Sequence, residues 1–280
     1  MRKALLRSSK FLVLVLAGVP ATSWASADFV TLSEVKEASQ FYNQPYVNGP
    51  NDKHNKTTSG NTTVYRPNHG LAHAVRKAAV TDDLTQVLLK NHRQDAVGSW
   101  LSSMLQSDPQ FGKKMIVGAM MSRAGRLDEG ESETSKNFAA SAADFRKVAE
   151  DAGLSESNLH DIAVGIMLDG HAAAPGEQNV EDQTKISHLL RVAHLIELNR
   201  MNLSEQNFSG MFHSMLPELS GGELQNLYDR DSQYLVATGD LMHSRGLTDI
   251  TDPARFGSEF YAASLNPGRL LDDVNHTHGN

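Results

Sequence analysis

Residues 181 to about 203 read as the most regular helix of the chain, and it constrains what can surround it. Ile186, Leu189, Leu190 and Ala193 recur at the helical period and define an apolar face. Continued at that period, the face meets Glu197 and Arg200, with His194 at its edge. Ionisable groups that extend an apolar stripe are costly to bury unless paired. This half of the helix therefore lines either a polar cavity or an internal salt bridge, the simplest being Glu197 with Arg200 at i, i+3.

The rest of the chain repeats the helical pattern. Aromatic residues make up 6% of the sequence, β-branched runs are rare, and Ala, Leu and Met are plentiful. A helix starting after Asn68 is expected to reach about Lys90. Trp100, Leu101, Met104 and Leu105 mark another, stopped by Ser107-Asp108-Pro109. Met115 to Met121 is apolar. Phe138, Ala142, Phe145 and Ala149 share one helical face, closed by Gly153. Ser157 is expected to cap a helix with Leu159, Ile162, Ala163 and Ile166 inward and Gly170 at its end. A loop with Pro175-Gly176 follows, and further helices run through Phe208, Met215, Leu224, Leu235 and Leu241. The expected fold class is all-α, one compact multi-helix domain over residues 64–271.

Residues 1–27 read as a cleaved secretory signal. Arg2, Lys3, Arg7 and Lys10 form a basic start, Phe11 to Val19 is apolar, and Ala25-Ser26-Ala27 is a small-residue cleavage site. The apolar run falls well short of the roughly 20 residues a membrane span needs. Export by the Sec route, to a periplasmic or secreted destination, is the expectation. Residues 28–63 read as an arm, with a short helix over Leu32 to Phe41 and an aperiodic loop from Asn43 to Thr63; residues 272–280 read as a polar tail.

The formal charge is −7. Loss of the leader, with four basic and no acidic residues, makes it more negative still. An acidic chain disfavours nucleic acid or anionic membrane as partner and suits a basic protein surface. There are no cysteines, which excludes disulfides, thiolate metal sites and a cysteine nucleophile.

The chemistry-bearing stretch is Val64-Tyr65-Arg66-Pro67-Asn68-His69-Gly70-Leu71-Ala72-His73. Asn68 is a good N-cap, so His69 falls in the first helical turn, with Leu71, Val75, Ala78 and Ala79 as the buried stripe. Unpaired N–H groups and the positive end of the helix dipole favour an anion there and keep a histidine neutral. His73 lies one turn on, on the same face. The competing reading is an ordinary capped turn.

Arg123, Arg126, Asp128, Glu129, Glu131 and Glu133 form a charged stretch that reads more readily as a solvated loop than as a site. Glu131-Ser132-Glu133 matches the Glu-x-Glu pair of ADP-ribosyltransferases, but the strand and separate arginine of that chemistry are missing. His160-Asp161 is similar to the metal-binding dyad of HD-type phosphohydrolases, yet 91 positions separate it from His69, and Asp161 suits a helix start in any case. No nucleophile-elbow, Walker, dinucleotide or His-Glu-x-x-His motif occurs.

Taken together, Tyr65 to His73, Gly125-Arg126-x-x-Glu129, and Leu189-Leu190-Arg191-Val192-Ala193-His194 through Arg200 resemble the phosphodiesterase domain of the SidE family. That family comprises bacterial effectors of phosphoribosyl-linked serine ubiquitination and stand-alone relatives that reverse it. The resemblance covers roughly residues 60 to 245. It implies an all-helical, metal-independent enzyme without cofactor that cleaves a phosphodiester or pyrophosphate. By position it implies His69 as nucleophile and His194 as general acid, then base. Glu129 would orient His69, with Glu131 and Glu133 as alternatives in the same acidic loop. Arg66, Asn68, His73, Arg126 and Arg200 would hold substrate oxygens. The implied partner is an ADP-ribosylated or phosphoribosylated protein with a basic, ubiquitin-like surface, or a small nucleotide diester. Without an accompanying ADP-ribosyltransferase domain, removal of the modification suits the chain better than conjugation. The alternatives are an HD-like metal phosphohydrolase, a binding protein for a phosphorylated ligand, and a non-catalytic secreted helical module.

Overall fold

The computed structural model describes residues 56–59, 62–65, 71–125, 135–198 and 209–244. The fold is all-α, with eight helices among the described residues: α1 (Leu71–Asn91), α2 (Ala96–Ser107), α3 (Phe111–Met121), α4 (Ser135–Asp151), α5 (Leu159–Leu168), α6 (Val180–Leu198), α7 (Ser209–Met215) and α8 (Gly221–Ser244). The expected leader, the helix over Leu32 to Phe41 and the polar tail lie outside the described residues.

One small sheet departs from the expectation of a loop over Asn43 to Thr63. Strands β1 (Lys56–Ser59) and β2 (Thr62–Tyr65) pair antiparallel, Lys56 opposite Tyr65 and Ser59 opposite Thr62. Four of the eight strand residues are threonine, a good strand former, and Gly60-Asn61 between them is a hairpin signal. Two strands of four residues are too short to alter the fold class.

Helix α1 runs unbroken past Asp82-Asp83, and α6 lies across it. Helix α6 contacts α1, α3, α5, α7 and α8. From Leu189 onward only Arg191 and Leu198 of its described residues escape full burial. The single apolar face read from the sequence is therefore only part of its buried surface. A helix covered on all sides is the centre of a domain, not its wall.

Close approaches set the spacing around this centre. A Cβ on Gly165 of α5 would stand 2.4 Å from Ile186 Cγ2 of α6, and one on Gly118 of α3 would stand 2.9 Å from Ile162 Cγ2 of α5. Glycine at these points lets helix axes come nearer than any side chain would allow. The core they close includes Leu84, Leu88, Phe111, Phe145, Leu159, Ile162 and Ile196.

Helix ends follow local chemistry. After α4, Gly153 takes φ +69°; its N–H reaches the Glu150 carbonyl at 2.9 Å and the Leu154 N–H reaches Ala149 at 2.9 Å. This double bond is the usual glycine-terminated helix stop. Before α5, Asn158 and not Ser157 occupies the cap position, in a left-handed conformation. Ser157 is diverted: its carbonyl accepts a 2.7 Å hydrogen bond from the buried Lys114 ammonium, which also binds Asp108 at 2.6 Å.

Candidate functional site

Helix α1 presents His73, Arg76 and Lys77 at the i, i+3, i+4 spacing, and all three are buried. Helix α6 presents Arg191, His194 and Glu197 at three-residue intervals, the last two buried. Because α1 and α6 pack together, the two polar stripes meet.

Glu197, fully buried, is the hinge of the meeting. One carboxylate oxygen accepts hydrogen bonds from Arg76 Nε at 3.0 Å and Nη2 at 2.9 Å. The other pairs with His73 Nδ1. A carboxylate can only accept, so Nδ1 of His73 carries a proton and that ring is fixed in orientation. The carboxylate of Glu197 thus reaches α1, 121 and 124 positions earlier; Arg200, the partner suggested by spacing, lies outside the described residues.

His194 stands edge-on to His73, with ring centroids 5.1 Å apart and planes at 74°. Its Nδ1 is buried without a hydrogen-bond partner. Burial, then the charges of Arg123, His73, Lys77 and Arg191, hold this imidazole well below its usual proton affinity. His194 therefore rests neutral. A buried ring nitrogen without a partner is rare in folded proteins and marks a place where a ligand or proton can act.

Arg123 follows α3 and is 7% exposed, so this end of the charged stretch is not the solvated loop the sequence suggested. Its guanidinium donates to Asp169 at 2.7 Å and lies 4.8 Å over the Phe138 ring. Arg191 reaches the same Asp169 at 3.2 Å. Lys77 Nζ donates to Ser122 Oγ at 2.7 Å, again joining α1 to the end of α3. Just beyond, the Gly125 N–H is held by the buried Ser141 hydroxyl of α4 at 2.9 Å.

Of the residues singled out in the sequence, the structure brings together His73 and His194. His69, Arg66, Asn68, Arg126, Glu129 and Arg200 lie outside the described residues, as do Glu131 and Glu133. Arg76, Lys77, Glu197 as a partner of His73, Arg123, Arg191 and Asp169 were not picked out as one group. The signal is the matching three- and four-residue spacing of polar side chains on α1 and α6.

Among the described residues, His160 and Asp161 do not join other metal-ligating side chains. His160 is exposed, while the buried Asp161 is engaged by Gln183 Nε2 at 2.9 Å and Asn179 Nδ2 at 3.1 Å. No group of three or more metal-ligating side chains comes together among the described residues.

An all-helical protein that buries two imidazoles beside guanidinium and ammonium groups has the donors that a phosphoryl group requires. The model of one family, the SidE phosphodiesterase (PDE) domain, matches residues 41–246. That span is most of the chain, and the protein belongs to this family, whose activity class is phosphodiester hydrolysis. A comparison with curated proteins finds no match.

Proposed function

We propose that this protein hydrolyses a phosphodiester or pyrophosphate linking an ADP-ribosyl or phosphoribosyl group to a protein, without a metal, through His69 and His194. The observation that carries this reading is the buried pair of His73 and His194, 5.1 Å apart, set among Arg76, Lys77, Arg123 and Arg191. His69 precedes His73 by four positions, within the stretch that most resembles the family.

The His69 imidazole attacks phosphorus, an N–P bond forms, and the P–O bond to the leaving group breaks. The leaving oxygen takes a proton from His194. Water then attacks the phosphohistidine, giving its proton back to His194 and releasing the phosphate. Glu129 orients His69; His73, Arg66, Asn68, Arg126 and Arg200 hold substrate oxygens. A neutral resting His194 must gain a proton before it can give one. An anionic substrate supplies the cause, since its charge offsets the cations that now oppose protonation.

The negative net charge fits a partner with a basic, ubiquitin-like surface, and the leader-like start fits export to the periplasm or beyond. No helix among the described residues is long and apolar enough to cross a membrane. The test is release of product from ADP-ribosylated and phosphoribosylated ubiquitin, and from a small nucleotide diester. Wild type, His69→Ala and His194→Ala are compared, with and without chelator. Release insensitive to chelator and lost by at least about a hundredfold in both variants is expected. Full activity in either variant, or loss with chelator, refutes the mechanism; cleavage of the small diester alone refutes the protein substrate.

A further inference from the structure

Asp169 follows α5 and takes φ +46°, a left-handed conformation uncommon for any residue but glycine and usually maintained for a reason. Its carboxylate receives Arg123 from the end of α3 at 2.7 Å and Arg191 from α6 at 3.2 Å. The next residue is fitted to this clasp. Gly170, at φ +89°, would place a Cβ 2.8 Å from Arg191 Cγ, and its N–H is held by Ser187 Oγ of α6 at 2.6 Å. The turn thus carries a carboxylate on one residue and clearance for the arginine stem on the next.

We propose that Asp169 is a positioning residue for proton transfer: by pinning Arg123 and Arg191 and offsetting one of their two positive charges it keeps the positive field low enough for His194 to accept a proton. The inference rests on the proposed role of His194 in catalysis. Asp169 bonds to the two guanidiniums that act on His194, so its effect on the imidazole runs through them. The charges that oppose protonation of His194 are those of Arg123 after α3, His73 and Lys77 on α1, and Arg191 on α6; the other buried charged groups on α1, α3, α5 and α6 are Arg76, Asp82, Lys114, Asp161 and Glu197, with Asp169 following α5. On α7, His213 is exposed; α8 brings the buried Asp231 and Tyr234, the latter bonded to Asp83. In this set Arg123 and Arg191 share the Asp169 carboxylate, as His73 and Arg76 share that of Glu197.

Asp169→Asn removes the charge while keeping a residue that tolerates the left-handed turn. In full-length protein with labelled histidine, the His194 ring signal, assigned by its loss in His194→Gln, is followed against pH. Asp169→Asn is expected to move proton uptake by His194 about one pH unit lower, a tenfold loss of proton affinity. Arg191→Gln is expected to move it in the opposite direction. Asp169→Asn/Arg191→Gln, which removes one charge of each sign, returns it towards wild type. Should Asp169→Asn alone not fold, the double variant compared with Arg191→Gln isolates the contribution of Asp169, and a lower midpoint in the double variant is the supporting result. Folded variants whose His194 profile matches that of their reference protein, or shifts of the same sign for both single substitutions, overturn the proposal. The ring titration does not depend on turnover. An active His194→Ala enzyme therefore defeats the catalytic reading while leaving the electrostatic coupling to be judged by its own measurement.

Discussion

Glu197 joins two buried ionisable groups, Arg76 and His73, and its removal shows what a carboxylate does inside a helical core. Glu197→Gln leaves Arg76 and His73 facing a neutral amide in a buried region. Breaking a buried pair in this way costs about 3–5 kcal/mol. Urea unfolding should show that loss as a lower midpoint with an unchanged slope. His194 provides a second prediction at this scale. Its proton affinity is low in the free protein, because of burial and nearby cations, and a bound anion raises it. If protonated His194 is the acid, kcat/KM, which reports the free enzyme, falls at lower pH than kcat, which reports the complex. Rate profiles from pH 4 to 9 check the order of the two limbs; coincident limbs refute the coupling. Among single residues, the conspicuous ones were legible: His73 as the second histidine of the stretch from Tyr65, and His194 at the edge of the apolar face of α6. Their neighbours were not, because Arg76, Lys77 and Arg191 look like ordinary exposed helix residues until a second helix covers them.

At the scale of elements, contact between α5 and α6 depends on a missing side chain. Gly165→Ala forces a methyl into Ile186, at 2.4 Å from Cγ2 and 3.0 Å from Cβ. Overpacking of this kind costs about 1–3 kcal/mol. Combining it with Ile186→Ala, which removes the opposed methyl, should cost less than the two single changes together, as thermal melts of the four proteins would show. A different junction is sensitive to pH. His92, after α1, bonds through Nε2 to Glu223 at 3.0 Å and through Nδ1 to Asp95 at 2.8 Å. Glu223 also exchanges hydrogen bonds with Ser220 to cap α8. Burial pulls the His92 proton affinity down, but the bonds to Asp95 and Glu223 outweigh it and leave it raised. A raised folded value means that the stabilisation is complete below about pH 6.5 and is lost as pH climbs through the higher folded value. The stability gap between wild type and His92→Gln should therefore narrow from pH 6 to pH 8.5.

For the whole molecule, the placement of Asp82 on α1 gives the pH response a second contribution of the same sign. Burial, reinforced by the charge of Asp83, pushes its carboxyl up to about 6. Protonated, it costs less to bury than when ionised. Its stabilising effect is thus full below about pH 4 and lost as pH rises through 6, by up to about 3 kcal/mol. Asp82→Asn should leave unfolding unchanged at pH 4 and raise stability at pH 8; equal curves at both would refute it. What the sequence by itself determined was the set of helices. Apolar residues three and four apart, a glycine at Gly153 and a proline at Pro109 act within a few residues, and hydrogen bonding from each residue to the one four back is local chemistry. It also carried the family, through motifs that survive as short contiguous runs. Only the tertiary structure decided which charges meet. Glu197 finds Arg76 and His73 more than 120 positions away, and Asp169 joins the end of α3 to the middle of α6. Those pairings follow from how the other helices pack around α6, and no local spacing records that distance.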